Sequence, residues 1–271
     1  DIDVDAAIIG GGLVGITAAY LLKAAGYKVA VLESDKICRG TTGHTTAKIT
    51  SQHGLIYHRL KSELGDEIAS QYADANQAAI DFIKKLVERE NIDCGFELQS
   101  SYIYTLDDQY VRQIIDEAQA SSELGIKSEY IESIPLPFKV KCALRFDNQA
   151  QFHPLRYLLK LAIRLPGDGS FIFEHTKAIN IDEGDPHVVI TENMKRVRAH
   201  YVILASHFPF YDLRGLYFTR LFPESSYVIA VTSGQKYPGG MYISAEDPGR
   251  SLRSVKDVNR ELILVGGEHH K

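Results

Sequence analysis

The amino-acid sequence predicts an α/β fold, in which an α+β domain built on a mostly antiparallel sheet is inserted into a domain with a parallel sheet. Near the N-terminus, a short apolar run, a glycine cluster and a helical pattern follow one another. Further along, helices alternate with strands, and the second half of the chain is rich in strands. With 271 residues, of which 45% are hydrophobic, the chain is long enough to bury the core of such a fold.

The N-terminal pattern predicts a strand–helix–strand unit. Residues 6–9 form a continuous apolar run, which is typical of a strand buried on both faces of a parallel sheet. Residues 16–25 have the pattern of a helix, and Gly26 is a suitable residue to end it. A second apolar strand is predicted over 28–32, with Glu33 at its end.

Three glycines between the first strand and the helix form a Gly-x-Gly-x-x-Gly motif. Gly10 permits a tight turn, Gly12 lets the backbone approach a pyrophosphate, and Gly15 allows close packing of helix on strand. The helix N-terminus offers N–H groups and a partial positive charge to phosphates. Glu33 is placed to accept hydrogen bonds from ribose hydroxyls, and its charge disfavours a 2′-phosphate. The motif predicts dinucleotide binding without separating FAD from NAD.

The middle of the chain alternates helices and strands. Apolar residues recur at helical spacing through 52–90 and again through 110–124. Strands are predicted over 96–106 and 141–146. A polar turn is expected over 148–154, with Pro154 early in a helix that runs to about residue 165.

The second half predicts mainly strands. They are expected over 171–173, 178–181, 187–191, 197–205, 227–232, 241–245 and 262–265. The strands over 187–191 and 197–205 suggest a hairpin with its turn near Asn193. An aromatic-rich loop is expected over 208–217.

Charge and cysteine content exclude several classes of partner. The net charge of −5 gives no reason to expect nucleic acid or an anionic membrane. The longest apolar runs have the length of a strand, so we expect no membrane span, and no signal peptide is recognisable. Cys38, Cys94 and Cys142 are scattered, which favours reduced thiols and a cytoplasmic protein. His53 and His58 do not share a helix face, so we expect no metal site.

Three stretches carry a resemblance to a known family: residues 40–57, which begin Gly-Thr-Thr-Gly-His, residues 206–211 and residues 265–271. With the glycine motif, they resemble FAD-dependent oxidoreductases of the D-amino acid oxidase and glycine oxidase superfamily. The chain is most similar to the bacterial branch whose longer members carry a C-terminal Rieske iron–sulfur domain, and the similarity covers essentially its whole length. Such relatives continue beyond the position of Lys271 with a segment that closes over the flavin, so the chain is expected to be truncated.

The resemblance implies FAD contacts along much of the chain. The ADP half would be held by Gly10, Gly12, Leu13, Val14, Gly15, Glu33 and Ser34. The pyrophosphate and ribityl chain would lie along Gly40, Thr41, Thr42, His44, Thr45 and Thr46. The adenine would meet the backbone of Lys177, Ala178 and Ile179, and the cofactor would also contact Ala205, Ser206 and His207. His207 departs from the glycine of most relatives. Gly266 and Gly267 match the last loop that approaches the isoalloxazine.

His44 has three possible roles. In dimethylglycine and sarcosine dehydrogenase relatives, a similar Gly-(Ser/Thr)-Thr-x-His run carries a histidine bonded covalently to the flavin. Here Gly43 replaces the bulky residue of that run. We expect a non-covalent flavin contact first, a covalent bond second and a turn-capping histidine third.

The implied reaction is oxidation of a C–N bond in an amine or amino acid by hydride transfer to flavin N5. The protein would supply position and a dry pocket rather than a strong base. Substrate-orienting candidates are Tyr102, Tyr104, Tyr227, Tyr242, Arg250 and Arg253. The competing interpretation is that the tyrosines are packing residues and the arginines are solvated.

The expected FAD-binding domain comprises 1–95, 141–207 and 260–271, and the substrate domain 96–140 and 208–259. The electron acceptor would be oxygen or an iron–sulfur domain or protein. Two other functions remain open: a non-catalytic or vestigial FAD-binding protein, and an NAD-dependent dehydrogenase, which the second half of the sequence fits poorly.

Overall fold

The computed structural model of the chain describes residues 1–212, 215–257 and 260–270. Its strands are β1 Ile2–Ile9, β2 Val29–Leu32, β3 Lys48–Ile49, β4 Glu97–Thr105, β5 Ser128–Ile131, β6 Cys142–Gln151, β7 Phe171–Phe173, β8 Ala178–Asp182, β9 His187–Thr191, β10 Arg196–Leu204, β11 Ser225–Val231, β12 Met241–Ser244, β13 Ser251–Asp257 and β14 Arg260–His270. The α-helices are α1 Leu13–Ala24, α2 Tyr57–Leu64, α3 Asp66–Arg89, α4 Val111–Glu123 and α5 Pro154–Ala162.

The chain forms two compact units. The first comprises Asp1–Thr45 and His153–Phe222, and the second Thr46–Phe152 and Pro223–Lys271. Residues 46–95, 141–152 and 260–270, which we expect to belong to the FAD-binding domain, are thus part of the second unit, and Lys271 lies outside the described residues. The functional division of the chain therefore stays a prediction.

The first unit is built on a six-stranded sheet with the order β7-β2-β1-β10-β9-β8. The neighbours from β7 to β10 are parallel, and β9 and β8 continue the sheet antiparallel. Residues 6–9 of β1 and all of β2 are buried, as their apolar runs predict. The predicted strand–helix–strand unit and the hairpin of β9 and β10 are both confirmed.

The second unit is built on an eight-stranded sheet. Seven of its strands have the order β11-β14-β13-β12-β4-β6-β3, and the eighth, β5, pairs with β6. Along this path β12 and β4 are parallel, and the other neighbours are antiparallel. The sheet is mostly antiparallel, as the sequence predicts.

The polar turn expected over 148–154 is wrong at its start. Strand β6 continues to Gln151, because Gln149, Ala150 and Gln151 are buried and pair with β4. Both glutamine side chains form hydrogen bonds within the unit, although Gln151 Oε1 has no partner among the described residues. For example, the Ser51 N–H donates to Gln149 Oε1 at 2.7 Å.

Helix α2 takes its N-terminal cap from a residue that is distant in sequence. Its N-cap residue is Ile56, whose side chain cannot accept a hydrogen bond. The carboxylate of Glu117 in α4 accepts instead from the N–H groups of Ile56, Tyr57 and His58 at 2.9, 2.8 and 2.8 Å. Glu117 is fully buried, so its charge is balanced by these three amides and by the helix dipole.

We predict that Glu117→Gln destabilises the chain by about 2 kcal/mol, because the amide group presents its own N–H donors to a backbone N–H. Urea unfolding followed by circular dichroism measures the change. Glu63→Gln, at an exposed position of α2, is the matched control and should change stability by less than about 0.5 kcal/mol. Equal stabilities of the two variants would contradict the capping role.

Candidate cofactor-binding site

Gly10 and Gly15, the first and last glycines of the motif, allow helix α1 to lie close to the turn after β1. Gly10 has φ +110°, and a Cβ at this position would lie 2.6 Å from the Ala205 carbonyl oxygen. A Cβ on Gly15 would lie 1.8 Å from the Gly10 carbonyl oxygen. Any side chain at either position would therefore push α1 away from the turn that follows β1.

The N-terminus of α1 presents backbone rather than side chains. Gly12 is the N-cap residue and supplies no side-chain hydrogen bond to the helix. The Leu13 N–H donates to Thr42 Oγ1 at 3.1 Å. The threonine loop, residues 40–45, therefore lies against this helix end. The first turn of α1 contains no acidic residue, and its partial positive charge is thus available to a phosphate.

Glu33 at the end of β2 has a fixed carboxylate. Its Oε2 accepts from the Gly11 N–H at 2.7 Å, and its Oε1 accepts from the Asp35 N–H at 2.9 Å and from Ser34 Oγ at 3.1 Å. Each carboxylate oxygen can accept two hydrogen bonds, so Oε2 retains capacity for a further donor such as a ribose hydroxyl.

The threonine loop contains a short 3₁₀ turn over Thr41–His44. His44 Nδ1 lies 3.0 Å from the Gly40 carbonyl oxygen, which requires the Nδ1 proton and leaves Nε2 as an acceptor in the neutral ring. His207 Nδ1 lies 3.4 Å from Thr41 Oγ1. The departure of His207 from the glycine of most relatives thus places an imidazole beside the loop.

These elements enclose a cavity of about 830 Å³ in the first unit. Most predicted cofactor residues line it: Gly12, Leu13, Val14, Glu33, Ser34, Gly40, Thr41, Thr42, His44, Thr45, Ala205, Ser206 and His207. The lining also includes Asp35, Lys36, Cys38 and Arg39, which the sequence analysis did not select. These residues follow Glu33 at the end of β2, and this position in the sequence indicates that they lie near the cavity.

Other predicted residues lie outside this lining. Ala178 and Ile179 belong to β8 at the sheet edge, with Lys177 just before them, and Thr46 belongs to the second unit. The loop expected at Gly266 and Gly267 is wrong, because both are within β14. There they pair with Val228 and Tyr227 of β11, and Gly266 also pairs with Ser251 of β13.

The thiols supply no obvious nucleophile. Cys38, Cys94 and Cys142 are free and buried. Burial, and to a smaller degree the charges of Glu33 and Glu174, raises the pKa of Cys38 to about 11, so that its thiol stays protonated at neutral pH. Within residues 1–212, 215–257 and 260–270, no group of three histidine, cysteine or acidic side chains is arranged to hold a metal ion.

The candidate tyrosines of the second unit have two kinds of environment. Tyr102 and Tyr242 are buried and stack with ring centroids 4.7 Å apart, and Tyr104 is buried in the same cluster. Tyr227 is 66% exposed and stacks on His270 at 4.9 Å. Three of the four tyrosines therefore contribute to the packing of the sheet.

The two candidate arginines also differ. Arg250 is exposed, and its Nη2 donates to Glu268 Oε1 at 2.8 Å. Arg253 is only 4% exposed, and its Nη2 donates to the Phe152 carbonyl oxygen at 3.4 Å. Burial lowers the pKa of Arg253 to about 10, so the guanidinium remains charged at neutral pH.

Lys48, which is not among the residues predicted from the sequence, is a second cation near Arg253. Its Nζ donates to Thr46 Oγ1 at 3.3 Å. Burial, with a smaller contribution from the charge of Arg253, lowers the pKa of Lys48 to about 8. In the sequence, Lys48 stands between the small residues 45–47 and the β-branched residues 49–50, and this context favours a strand that could bury it.

Comparison with known proteins decides the family. The profile of FAD-dependent oxidoreductases, the DAO family, matches residues 5–271. The chain belongs to this family. Its cofactor is therefore FAD rather than NAD, and the glycine turn, the uncapped helix end and the Glu33 carboxylate fit the ADP part of that cofactor.

Two curated relatives illustrate the match. The "Putative Rieske 2Fe-2S iron-sulfur protein YhfW" of Bacillus subtilis is 41% identical over 271 residues, which are 100% of this chain and 53% of that protein. The gamma-glutamylputrescine oxidoreductase of Escherichia coli is 23% identical over 209 residues, covering 75% of this chain and 49% of that protein. The chain thus spans about half the length of these relatives.

Solved structures share the fold. Glycine oxidase from Geobacillus kaustophilus is similar with a TM-score of 0.77 at 16% identity, over 100% of this chain and 72% of that chain. L-proline dehydrogenase from P. horikoshii is similar with a TM-score of 0.77 at 18% identity, over 99% of this chain and 71% of that chain. In the described part of the present chain, no helix combines the length and apolarity needed to cross a membrane.

We predict that Gly15→Ala destabilises the chain by about 3 kcal/mol even without cofactor, because the new Cβ overlaps the Gly10 carbonyl. Urea unfolding measures the loss. Gly234→Ala is the control, because a Cβ there meets nothing within 4 Å. A Gly15→Ala protein as stable as this control would show that α1 does not need the close approach.

We also predict a pH-dependent effect of Lys48→Met. The pKa of Lys48 falls from its ordinary 10.5 to about 8 on folding, so the charged form costs stability below pH 8 and the cost disappears as the pH rises to 10.5. The methionine variant should be more stable than wild type by up to roughly 3 kcal/mol at pH 7, and by much less at pH 10.

The difference is measured by urea unfolding of both proteins at the two pH values. Lys85→Met, at an exposed position of α3, serves as the control and should change stability equally at both. A Lys48→Met effect that does not depend on pH would contradict the lowered pKa.

Proposed function

We propose that the protein is an FAD-dependent oxidoreductase that oxidises a C–N bond of an amine or amino acid. The observation that carries the proposal is the cavity of about 830 Å³, lined by the helix N-terminus, the Glu33 carboxylate and the threonine loop. When bound, FAD supplies an acceptor for a hydride at flavin N5.

The first unit binds the cofactor in this proposal. The N-terminus of α1 and its Gly12 backbone hold the pyrophosphate by N–H groups and dipole. Glu33 accepts hydrogen bonds from the ribose hydroxyls through its remaining lone pairs. Thr41, Thr42 and Thr45 supply hydroxyls along the diphosphate and ribityl chain.

The second unit orients the substrate in this proposal. Among the candidates, Arg253 is supported best, because its guanidinium is buried and its Nε has no hydrogen-bond partner among the described residues. Tyr227 and Arg250 are exposed and are available as secondary contacts. Tyr102, Tyr104 and Tyr242 act through packing that fixes the sheet.

An iron–sulfur centre or oxygen accepts the electrons in this proposal. The printed name of the Bacillus relative, which includes a Rieske 2Fe-2S centre, supports the first acceptor. Slow reoxidation of the photoreduced protein by air would favour an iron–sulfur acceptor, and reoxidation within the time of mixing would favour oxygen.

We predict that the purified chain binds FAD and that an amine or amino acid bleaches the flavin absorbance under anaerobic conditions. Absorbance spectroscopy with a panel of primary amines, secondary amines and amino acids makes the measurement. A yellow protein that no member of the panel bleaches would support the non-catalytic alternative. A colourless protein that binds NAD would overturn the proposal.

We further predict that acid precipitation releases the flavin into the supernatant, because Gly43 replaces the bulky residue that precedes the histidine in the relatives with a covalent flavin. Flavin retained in the pellet of wild type, and lost from the pellet of His44→Ala, would instead establish a covalent bond.

A further inference from the structure

The cavity of the first unit carries two histidines that are held by neighbouring residues of the threonine loop. His207 Nδ1 lies 3.4 Å from Thr41 Oγ1, and His44 Nδ1 lies 3.0 Å from the Gly40 carbonyl oxygen. Both histidines line the cavity and are exposed to it. These contacts use Nδ1 of each ring, so Nε2 is left to face a ligand.

The contacts of its neighbours place His207 beside the N-terminus of α1. Thr42, in the loop that His207 contacts, accepts from the Leu13 N–H at 3.1 Å. Ser206 lies against the glycine turn, because a Cβ on Gly10 would be 2.9 Å from the Ser206 nitrogen. A helix N-terminus of this kind holds the diphosphate of a dinucleotide. His207 therefore lies at the edge of the region that is expected to hold the phosphates of FAD.

The permanent charges of the cavity lining cancel. Among the described lining residues, Glu33 and Asp35 are acidic, and Lys36 and Arg39 are basic. Arg39 also forms an ion pair with Asp35 at 3.7 Å. The Cys38 thiol adds no charge, because burial raises its pKa to about 11. The two negative charges of the FAD diphosphate thus meet the helix dipole but no net positive charge, and a histidine is the kind of side chain that can add one near neutral pH.

Other titratable groups border His207 from the elements around it. They are His44 on the threonine loop, the charged residues after β2, Glu174 and His175 after β7, and Asp212 on the segment of His207 itself. The Glu174 carboxylate accepts from the Ile37 N–H at 2.9 Å, and the Asp212 carboxylate accepts from two backbone N–H groups. Within the described part of the chain, no carboxylate forms an ion pair with His207. A proton on its ring is therefore available to a ligand.

We propose that protonated His207 binds the diphosphate of FAD, so that the affinity of the cavity for its cofactor rises as the pH falls. The imidazolium donates from Nε2 to a phosphate oxygen, and from Nδ1 to the Thr41 hydroxyl, which can accept. The inference goes beyond the proposed function, because it concerns the control of cofactor binding and requires no particular substrate. Since most relatives have glycine at this position, the pH dependence is a property of this chain.

The test measures the Kd of FAD at pH 6 and pH 8, which bracket the range in which an imidazole changes charge. The FAD-loaded chain is diluted in series, and the released flavin is quantified by fluorescence. Wild type should bind FAD roughly 5-fold more tightly at pH 6 than at pH 8. Both phosphates of FAD are diesters that stay ionised at these pH values, so the diphosphate itself adds no pH dependence.

Variants assign the effect to the charge of one residue. His207→Gln keeps a polar side chain without the charge and should bind FAD equally at both pH values, with the Kd of wild type at pH 8. His207→Lys should keep the lower Kd at both. Lys36→Met should raise the Kd but leave the ratio unchanged, because it removes no imidazole. His200→Asn, which removes an exposed histidine beside Asp185 on the same unit, is the matched control and should leave Kd and ratio unchanged.

Two results would overturn the inference. One is an equal affinity of wild type at the two pH values. The other is a ratio that persists in His207→Gln, since the titrating group would then be another one, such as His44. A flavin that no amine bleaches would overturn the proposed oxidation and leave the pH-dependent affinity standing, whereas a chain that binds no FAD would overturn both.

Discussion

The contact between helix α1 and the turn after β1 is the constraint on which the first unit depends. Because neither Gly10 nor Gly15 has a side chain, the helix backbone approaches within the distance at which a Cβ would overlap the Gly10 carbonyl. This approach puts the helix N-terminus at the carboxyl ends of β1 and β2. The same approach brings the Gly11 N–H to the Glu33 carboxylate. One steric requirement thus arranges a positive helix end and an acidic strand end around one cavity.

The second unit handles its buried charges in two contrasting ways. The Glu117 carboxylate is buried with three backbone N–H donors and is therefore satisfied within the fold. Arg253 is buried with one carbonyl acceptor, beside a lysine of the same sign. In the first case, the carboxylate has a structural role, because it caps helix α2. In the second, the guanidinium keeps an Nε donor without a hydrogen-bond partner among the described residues, and the charge of Glu97 partly offsets the effect of burial on its pKa.

The parts of the fold that local sterics determine could be predicted from the sequence, and the rest could not. The glycine turn and the buried parallel strands require particular residue types at fixed spacing. The end of β6 was mispredicted because Gln149 and Gln151 are polar, and their partners lie elsewhere in the chain. The proximity of Lys48 and Arg253 could not be predicted, because three strands separate β3 from β13 in the sheet order and no local pattern encodes their approach.

The cap that Glu117 provides also has a consequence for the order of folding. Helix α2 has eight residues, a length at which an isolated helix is marginal in water. Its cap comes from a side chain 60 positions away from Tyr57, so closure of that loop must precede a stable α2. We therefore expect α2 to form after α4 has docked on the sheet, and the amides of residues 56–58 to gain hydrogen-exchange protection no earlier than those of α4.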